Sequence, residues 1–123
     1  MRGDCVRATG GETVEEPGRL FDLVVSCEGA KMAELEIRKG VFVRYADGML
    51  TLDMGDEGYG RDQRSIELSE LRDLRVLSDT TMVEIFANGG EAALTSRTYS
   101  PAVPAMELHA EGAASMNFYR LVH

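Results

Sequence analysis

Few residues in this chain are of types that do chemistry, and their spacing limits what each could do. Asp53, Asp56, Glu57 and Asp62 lie close together and could supply the oxygen ligands that calcium takes at roughly 2.3–2.6 Å. Their spacing matches no calcium loop, and the glycines between them suit a solvated turn. His109 sits between Leu108 and Ala110, and His123 is the last residue. Neither has the second histidine or nearby thiol that a zinc site requires, and one internal histidine is a poor basis for a Ser-His-Asp arrangement. No metal site and no cofactor is therefore expected. Cys5 and Cys27 form the one possible thiol pair. A bridge is open to them because both lie near expected neighbouring strands, but without a secretory signal free buried thiols are the expectation. For sugar recognition, Tyr59 and Tyr99 are the aromatics placed to stack on a saccharide ring. The chain has four Tyr, four Phe and no Trp, which weakens an independent sugar site without closing it.

The elements that must position these groups read as strands. The run Leu74 to Pro101, LRVLSDTTMVEIFANGGEAALTSRTYSP, gives three consecutive antiparallel strands. Val83 and Ile85 alternate with Glu84 and Phe86, the period of a half-buried strand. Asn88-Gly89 tolerates positive φ at both centres of a tight hairpin turn, and Asp79-Thr80-Thr81 offers side-chain oxygens that close another. If Val83 and Ile85 fill the core, Phe86 faces outward, and Arg97 and Tyr99 on the next strand share that surface. Phe86, Arg97 and Tyr99 are thus the candidate docking surface, with capping by a loop of the same chain as the alternative.

Upstream, Cys5–Thr9 is a possible short strand and GGETVEEPG a loop. Phe21–Cys27 follows as a strand with Phe21, Leu23, Val25 and Cys27 on one face and Asp22, Val24 and Ser26 on the other. Ala33–Lys39 alternates Leu35 and Ile37 with Glu34, Glu36 and Arg38, so period two overrides its helix-favouring composition. Val41–Ala46, a turn at Asp47-Gly48 and Met49–Met54 complete a meander. Gly55–Gln63 is an exposed loop, Ser65–Glu70 a short strand, and Ala105–Ala110 and Ala113–Val122 the last two. Ten or eleven short strands without a convincing helix specify an all-β chain, a two-sheet antiparallel β-sandwich, with a barrel as the alternative. A single domain over residues 1–123 is expected, with 1–18 as a lead-in strand and loop.

The order Asp79, two hydroxyl residues, VEIF, Asn-Gly, Glu91 and Thr95-Ser96-Arg97 resembles one segment of the C-terminal β-sandwich module of glycoside hydrolase family 32. These are the β-fructosidases: invertases, levanases, inulinases and sucrose-6-phosphate hydrolases, and the resemblance extends more weakly from Phe21 to the end. It implies a concanavalin-like jelly roll packed against a catalytic β-propeller, its partner in the same or a separate chain. It also implies where catalysis would reside. In the family the two carboxylates belong to an Asn-Asp-Pro motif and a Glu-Cys pair, and an Arg-Asp-Pro motif grips the fructose. None is present: Arg61-Asp62 is followed by Gln63, and Cys27-Glu28 reverses the pair. A propeller would need roughly 200 residues or more. The resemblance therefore implies an accessory module that stabilises or orients a fructosidase and has no catalytic residues of its own. The alternative is a free-standing lectin-like module that binds a fructan or another glycan, and a homo-oligomer is compatible with either.

Composition narrows the partners further. The formal net charge is -8, which disfavours nucleic acid and anionic membranes, because both require clustered Lys and Arg. With 44% hydrophobic and 28% charged residues the chain is that of an ordinary globular domain rather than a disordered one. No apolar run approaches the ~20 residues of a membrane span and the N-terminus lacks a signal-peptide core, so a cytoplasmic location is expected.

Overall fold

The computed structural model describes residues 2–9, 13–15, 18–27, 31–54, 63–98, 101–111 and 114–121, with 2–9 and 120–121 described by their backbone alone. Thirteen strands lie among them, in the order β1 (Arg2–Thr9), β2 (Thr13–Glu15), β3 (Phe21–Ser26), β4 (Met32–Arg38), β5 (Val41–Ala46), β6 (Met49–Asp53), β7 (Gln63–Glu67), β8 (Asp73–Ser78), β9 (Met82–Ala87), β10 (Ala92–Arg97), β11 (Ala105–Glu107), β12 (His109–Glu111) and β13 (Ser115–Leu121). They form a six-stranded sheet ordered β1-β13-β3-β8-β9-β10, a five-stranded sheet ordered β12-β4-β5-β6-β7, and a small ribbon of β11 and β2. Every pairing is antiparallel. The chain is an all-β sandwich.

Period two builds the core. Phe21, Leu23, Val25, Val76, Val83, Ile85, Met116 and Phe118 from the first sheet meet Leu35, Ile37, Val41, Val43, Leu50 and Leu52 from the second in one buried cluster. The rings of Phe21 and Phe118 lie 5.3 Å apart between centroids with their planes tilted by 38°, an aromatic pair within the core. Burying each such side chain is worth roughly 1.5–3 kcal/mol, so this continuous inner layer is what holds the sheets together.

Two turns follow the sequence closely and one goes further. Asp47 (φ 52°) and Gly48 (φ 70°) join Ala46 directly to Met49, a two-residue hairpin with positive φ at both centres. At the second, the Asp79 N–H donates to the Met82 carbonyl at 2.8 Å and the Thr80 N–H to Asp79 Oδ1 at 2.5 Å. The Asn88-Gly89 turn is longer, because pairing resumes only at Ala87 with Ala92. Asn88 and Gly89 still carry positive φ (52° and 68°), and Gly90 reaches 101°, where only glycine is comfortable. The Asn88 side chain then turns inward. Its Oδ1 accepts from the Arg72 and Asp73 N–H groups at 2.7 and 3.3 Å, and its Nδ2 donates to the Glu70 carbonyl at 2.9 Å. A residue chosen for its turn also clamps the segment that enters β8.

Several expectations are corrected. Arg38, expected on the solvent face with Glu34 and Glu36, is 0% exposed. A register shift between Glu36 and Arg38 places an extra residue in β4, so Ile37 and Arg38 both turn inward. Arg38 Nη1 donates to Ser78 Oγ at 2.9 Å and the Asp79 carbonyl at 2.7 Å, and Nη2 to the Thr80 and Thr98 carbonyls at 2.9 and 3.5 Å. The expected single strand Ala105–Ala110 is two. Its first half pairs with β2 and its second with β4, turning at the buried Leu108. The expected GGETVEEPG loop contains β2, whose Val14 faces Met106 and closes one side of the core. These additions raise the strand count above the expected ten or eleven, and β1 is an integral edge strand of the larger sheet. Cys27 is a free, buried thiol. Because β13 lies between β1 and β3, Cys5 is two strand spacings from β3, about 10 Å, beyond the reach of a disulfide.

Replacing Arg38 by Met is expected to lower the unfolding free energy by about 3–5 kcal/mol in urea denaturation, because it strands the buried acceptors that the guanidinium satisfies. Arg38→Lys should recover only part of that loss, since one ammonium cannot span acceptors arranged for a fork. Asn88→Ala should cost about 2–4 kcal/mol, from the lost side-chain bonds together with left-handed backbone strain.

Candidate functional site

The two outward faces differ in chemistry. On the five-stranded sheet, Arg44 of β5 donates through Nε to Glu34 of β4 at 2.7 Å and through Nη1 to Asp53 of β6 at 2.9 Å. Its guanidinium also lies 5.2 Å over the Phe42 ring. Thr51 and Ser65 share a hydrogen bond at 3.0 Å, so these side chains find their partners on the face itself. Glu34 and Asp53 are a carboxylate pair, but both accept from the same guanidinium, which stands between them on the strand that separates theirs.

The outward face of the six-stranded sheet is built otherwise. Cross-strand register aligns Asn117, Val24, Arg75, Phe86 and Ala93 in one row, and Tyr119, Asp22, Leu77, Glu84 and Thr95 in the row beside it. Partners in register point to the same side, so each row is a line of neighbouring side chains. Asp22 is 2% exposed although it points away from the core. It accepts Arg75 Nε at 3.0 Å and Nη2 at 2.9 Å, a bidentate fork that fixes the guanidinium plane. This bond raises the Arg75 pKa further above its ordinary range. Next to the fork, Val24, Arg75 and Phe86, with Asp73, Gly89 and Gly90 at the hairpin end, line a groove of about 380 Å³. Asp73 Oδ1 accepts the Gly89 N–H at 3.0 Å, which holds the hairpin against β8.

The residues singled out from sequence are distributed as follows. Phe86 is half-buried and Arg97 exposed, both on the outward face of the six-stranded sheet. Phe86 pairs with Ala93 and Arg97 with Met82, four positions apart on β10, or about 13 Å. Tyr59 and Tyr99 lie outside the described residues, as do Asp56, Glu57, Asp62 and His123. His109 is exposed on β12, its Nδ1 3.8 Å from Glu107 Oε2. Among the described residues no group of three His, Cys, Asp or Glu stands close enough to hold a metal ion. None of the described helices is long and apolar enough to cross a membrane.

The Asp22–Arg75 fork and the part taken by Asp73 were not visible in sequence. The alternation did mark Val24 as an apolar residue on an outer face, which was the available signal. Pairing a carboxylate with a guanidinium 53 positions away requires the β3–β8 register.

With this geometry in view, the comparisons with known proteins decide the family. A family model described as glycosyl hydrolases family 32 C terminal matches residues 28–121. The chain belongs to glycoside hydrolase family 32. It carries that family's C-terminal β-sandwich. Similar solved structures include sucrose-6-phosphate hydrolase from Lactobacillus gasseri, at TM-score 0.80 and 16% identity, covering 98% of this chain and 28% of that one. Exo-inulinase from Aspergillus awamori is similar at TM-score 0.73 and 17% identity, covering 99% and 28%. A β-fructofuranosidase of family 32 from Bombyx mori is similar at TM-score 0.72 and 18% identity, covering 98% and 27%. The chain thus spans little more than a quarter of the length of each of these three enzymes. No curated protein matches it.

Cys27 yields a pH dependence that can be measured. Burial, with Asp73 adding to it, pushes its thiol from 9.0 up to about 11. Tyr45, whose hydroxyl donates to the Leu68 carbonyl at 2.8 Å, is also raised by burial and then by Glu70. Both groups are neutral when protonated, so between pH 9 and 11 the unfolded chain binds fewer protons than the folded one and stability falls as pH rises. For Cys27 the loss approaches about 2–3 kcal/mol across that window. Urea denaturation at stepped pH should show this decline, and Cys27→Ala should leave only the shallower part.

Proposed function

We propose that this module serves as an accessory, non-catalytic part of a β-fructosidase of the sucrose-6-phosphate hydrolase kind, where it stabilises or orients the catalytic β-propeller. The observation that carries this reading is coverage. The fold accounts for nearly the whole of this chain yet only between about a fifth and a third of the enzymes it matches, and the carboxylate motifs of the family are missing from it. What the module offers a partner is a surface, and the outward face of the six-stranded sheet suits that role better than the other, whose charges are already paired with one another.

The docking patch we assign is Leu77, Met82, Glu84 and Arg97. Leu77, Met82 and Glu84 are half-buried and Arg97 is exposed, an apolar centre with a charged rim. Its location supports the assignment. Arg2 pairs with Leu121, one residue beyond the Arg120–Phe21 pair, so β1 begins at the end of the sheet that carries Met82 and Arg97. A domain attached ahead of β1 would meet that end first. Phe86, about 13 Å further along, is the far limit of the same face.

The test supplies a separately produced propeller of the sucrose-6-phosphate hydrolase kind and measures association by calorimetry and by the thermal midpoint of the propeller. The expected result is saturable binding with a raised midpoint. Arg97→Glu combined with Met82→Lys should weaken it at least about tenfold, with Arg97→Glu alone, at an exposed position, leaving the unfolding free energy of the module within about 0.5 kcal/mol. Absence of association by the unaltered module, or fructoside hydrolysis by the module alone, would overturn the reading.

A further inference from the structure

The groove beside the Asp22–Arg75 fork lies toward the hairpin end of the sheet, one row from Leu77 and Glu84 of the docking patch and further from Met82 and Arg97, and calls for an occupant of its own. We propose that it is a binding site for a neutral saccharide of one or two rings. The proposal goes beyond the accessory role and does not depend on it.

Three features define the ligand class. The floor is apolar: Val24 and Phe86 flank Arg75 in register, and the half-buried Phe86 ring offers a flat face for the C–H side of a sugar ring. Rim polarity is supplied in matched form. Arg75 is 47% exposed in its side chain, its Nε and Nη2 are committed to Asp22, and Nη1 makes no hydrogen bond among the described residues. Asp73 uses Oδ1 for the Gly89 N–H and retains Oδ2 as an acceptor. A fixed donor and a fixed acceptor above an apolar floor are what adjacent hydroxyls on a ring require. The third feature is access. Gly89 and Gly90 have open space where a Cβ would stand, so the hairpin backbone can be approached closely at this end of the groove.

Size and charge narrow the class. A volume of about 380 Å³ is at the small end of ligand sites, suited to one or two rings rather than a folded protein segment. The lining carries one guanidinium and one carboxylate, and the guanidinium is already paired with Asp22 behind it, so no unpaired cation is offered to a phosphorylated sugar and a neutral one is admitted. The parts are also rigid. Arg75 and Phe86 stand on neighbouring strands of the sheet, and the guanidinium cannot swing away without giving up both of its bonds to the buried Asp22 carboxylate.

The test is an amide chemical-shift titration of the 123-residue chain with sucrose, inulin-type and levan-type oligosaccharides, cellobiose, glucose and glucose 6-phosphate. Saturable shifts at Gly89, Gly90 and Phe86 with at least one neutral sugar are expected, and weaker binding of glucose 6-phosphate than of glucose wherever glucose itself binds. Phe86→Ala should weaken binding about threefold to tenfold, and Phe86→Trp, which keeps an aromatic face, should retain it. The proposal is overturned if no neutral sugar gives saturable shifts, if the shifts map to the five-stranded sheet, or if binding is the same in all three proteins. Should Phe86→Ala fail to fold, the Trp variant and the location of the shifts still decide. A negative outcome leaves the docking reading standing, because that reading is tested at Met82 and Arg97 with a supplied propeller.

Discussion

Arg38 is the interaction on which the arrangement of the two sheets depends. A guanidinium enclosed in a β-sandwich loses its hydration, and the loss is tolerable only if its donors find acceptors in fixed positions. Here they find Ser78 Oγ and the carbonyls of Asp79, Thr80 and Thr98, so one side chain from β4 in the five-stranded sheet grips the β8–β9 turn and the end of β10 in the six-stranded sheet. Desolvation, with Arg19 adding to it, lowers its pKa, while Asp79 opposes the shift and helps keep the group charged. Ser78 in turn donates to the Arg19 carbonyl at 2.6 Å, which extends the grip to the segment entering β3. Apolar burial would tolerate many slides of one sheet over the other. A fork aimed at named carbonyls tolerates few.

From that anchor the outward face follows. With β8 and β9 held in register by the turn that Arg38 grips, Arg75 comes opposite Val24 on one side and Phe86 on the other, and Asp22 falls within reach of its fork. At the far end of the same strands, Asn88 ties the hairpin to Glu70, Arg72 and Asp73. Strands β8 and β9 are thus fixed at both ends, and the side chains that line the groove, Val24, Asp73, Arg75 and Phe86, stand on sheet backbone, with the Gly89-Gly90 turn closing one end. On the opposite sheet Arg44 instead spends its charge on Glu34 and Asp53.

Likeness to the enzyme structures at 16–18% identity and TM-scores of 0.72–0.80 has a physical reading. Cores accept extensive exchange of apolar residues when volume and patterning are kept. In this chain the sandwich is specified by alternation and by a few positions whose backbone favours particular residue types, such as Asp47-Gly48 and Asn88-Gly89. What relatives do with their surfaces can diverge while the fold persists.

The sequence by itself determined the all-β class, most strand positions, the hairpins at Asp47-Gly48 and Asn88-Gly89, the inward set from Phe21 to Cys27, and the resemblance that the family match bears out. These are local properties: period two and positive φ are written within a few neighbouring residues. The remaining features depend on contacts between distant parts of the chain. Arg38 read as a surface residue because alternation assumes an unbroken ladder, and one bulge reverses the side that a residue faces. Ala105–Ala110 read as one strand because a change of sheet at Leu108 leaves the apolar pattern intact. The Asp22–Arg75 fork and the groove beside it were hidden for the same reason, since they exist only once β3 and β8, far apart in the chain, are paired in a single register.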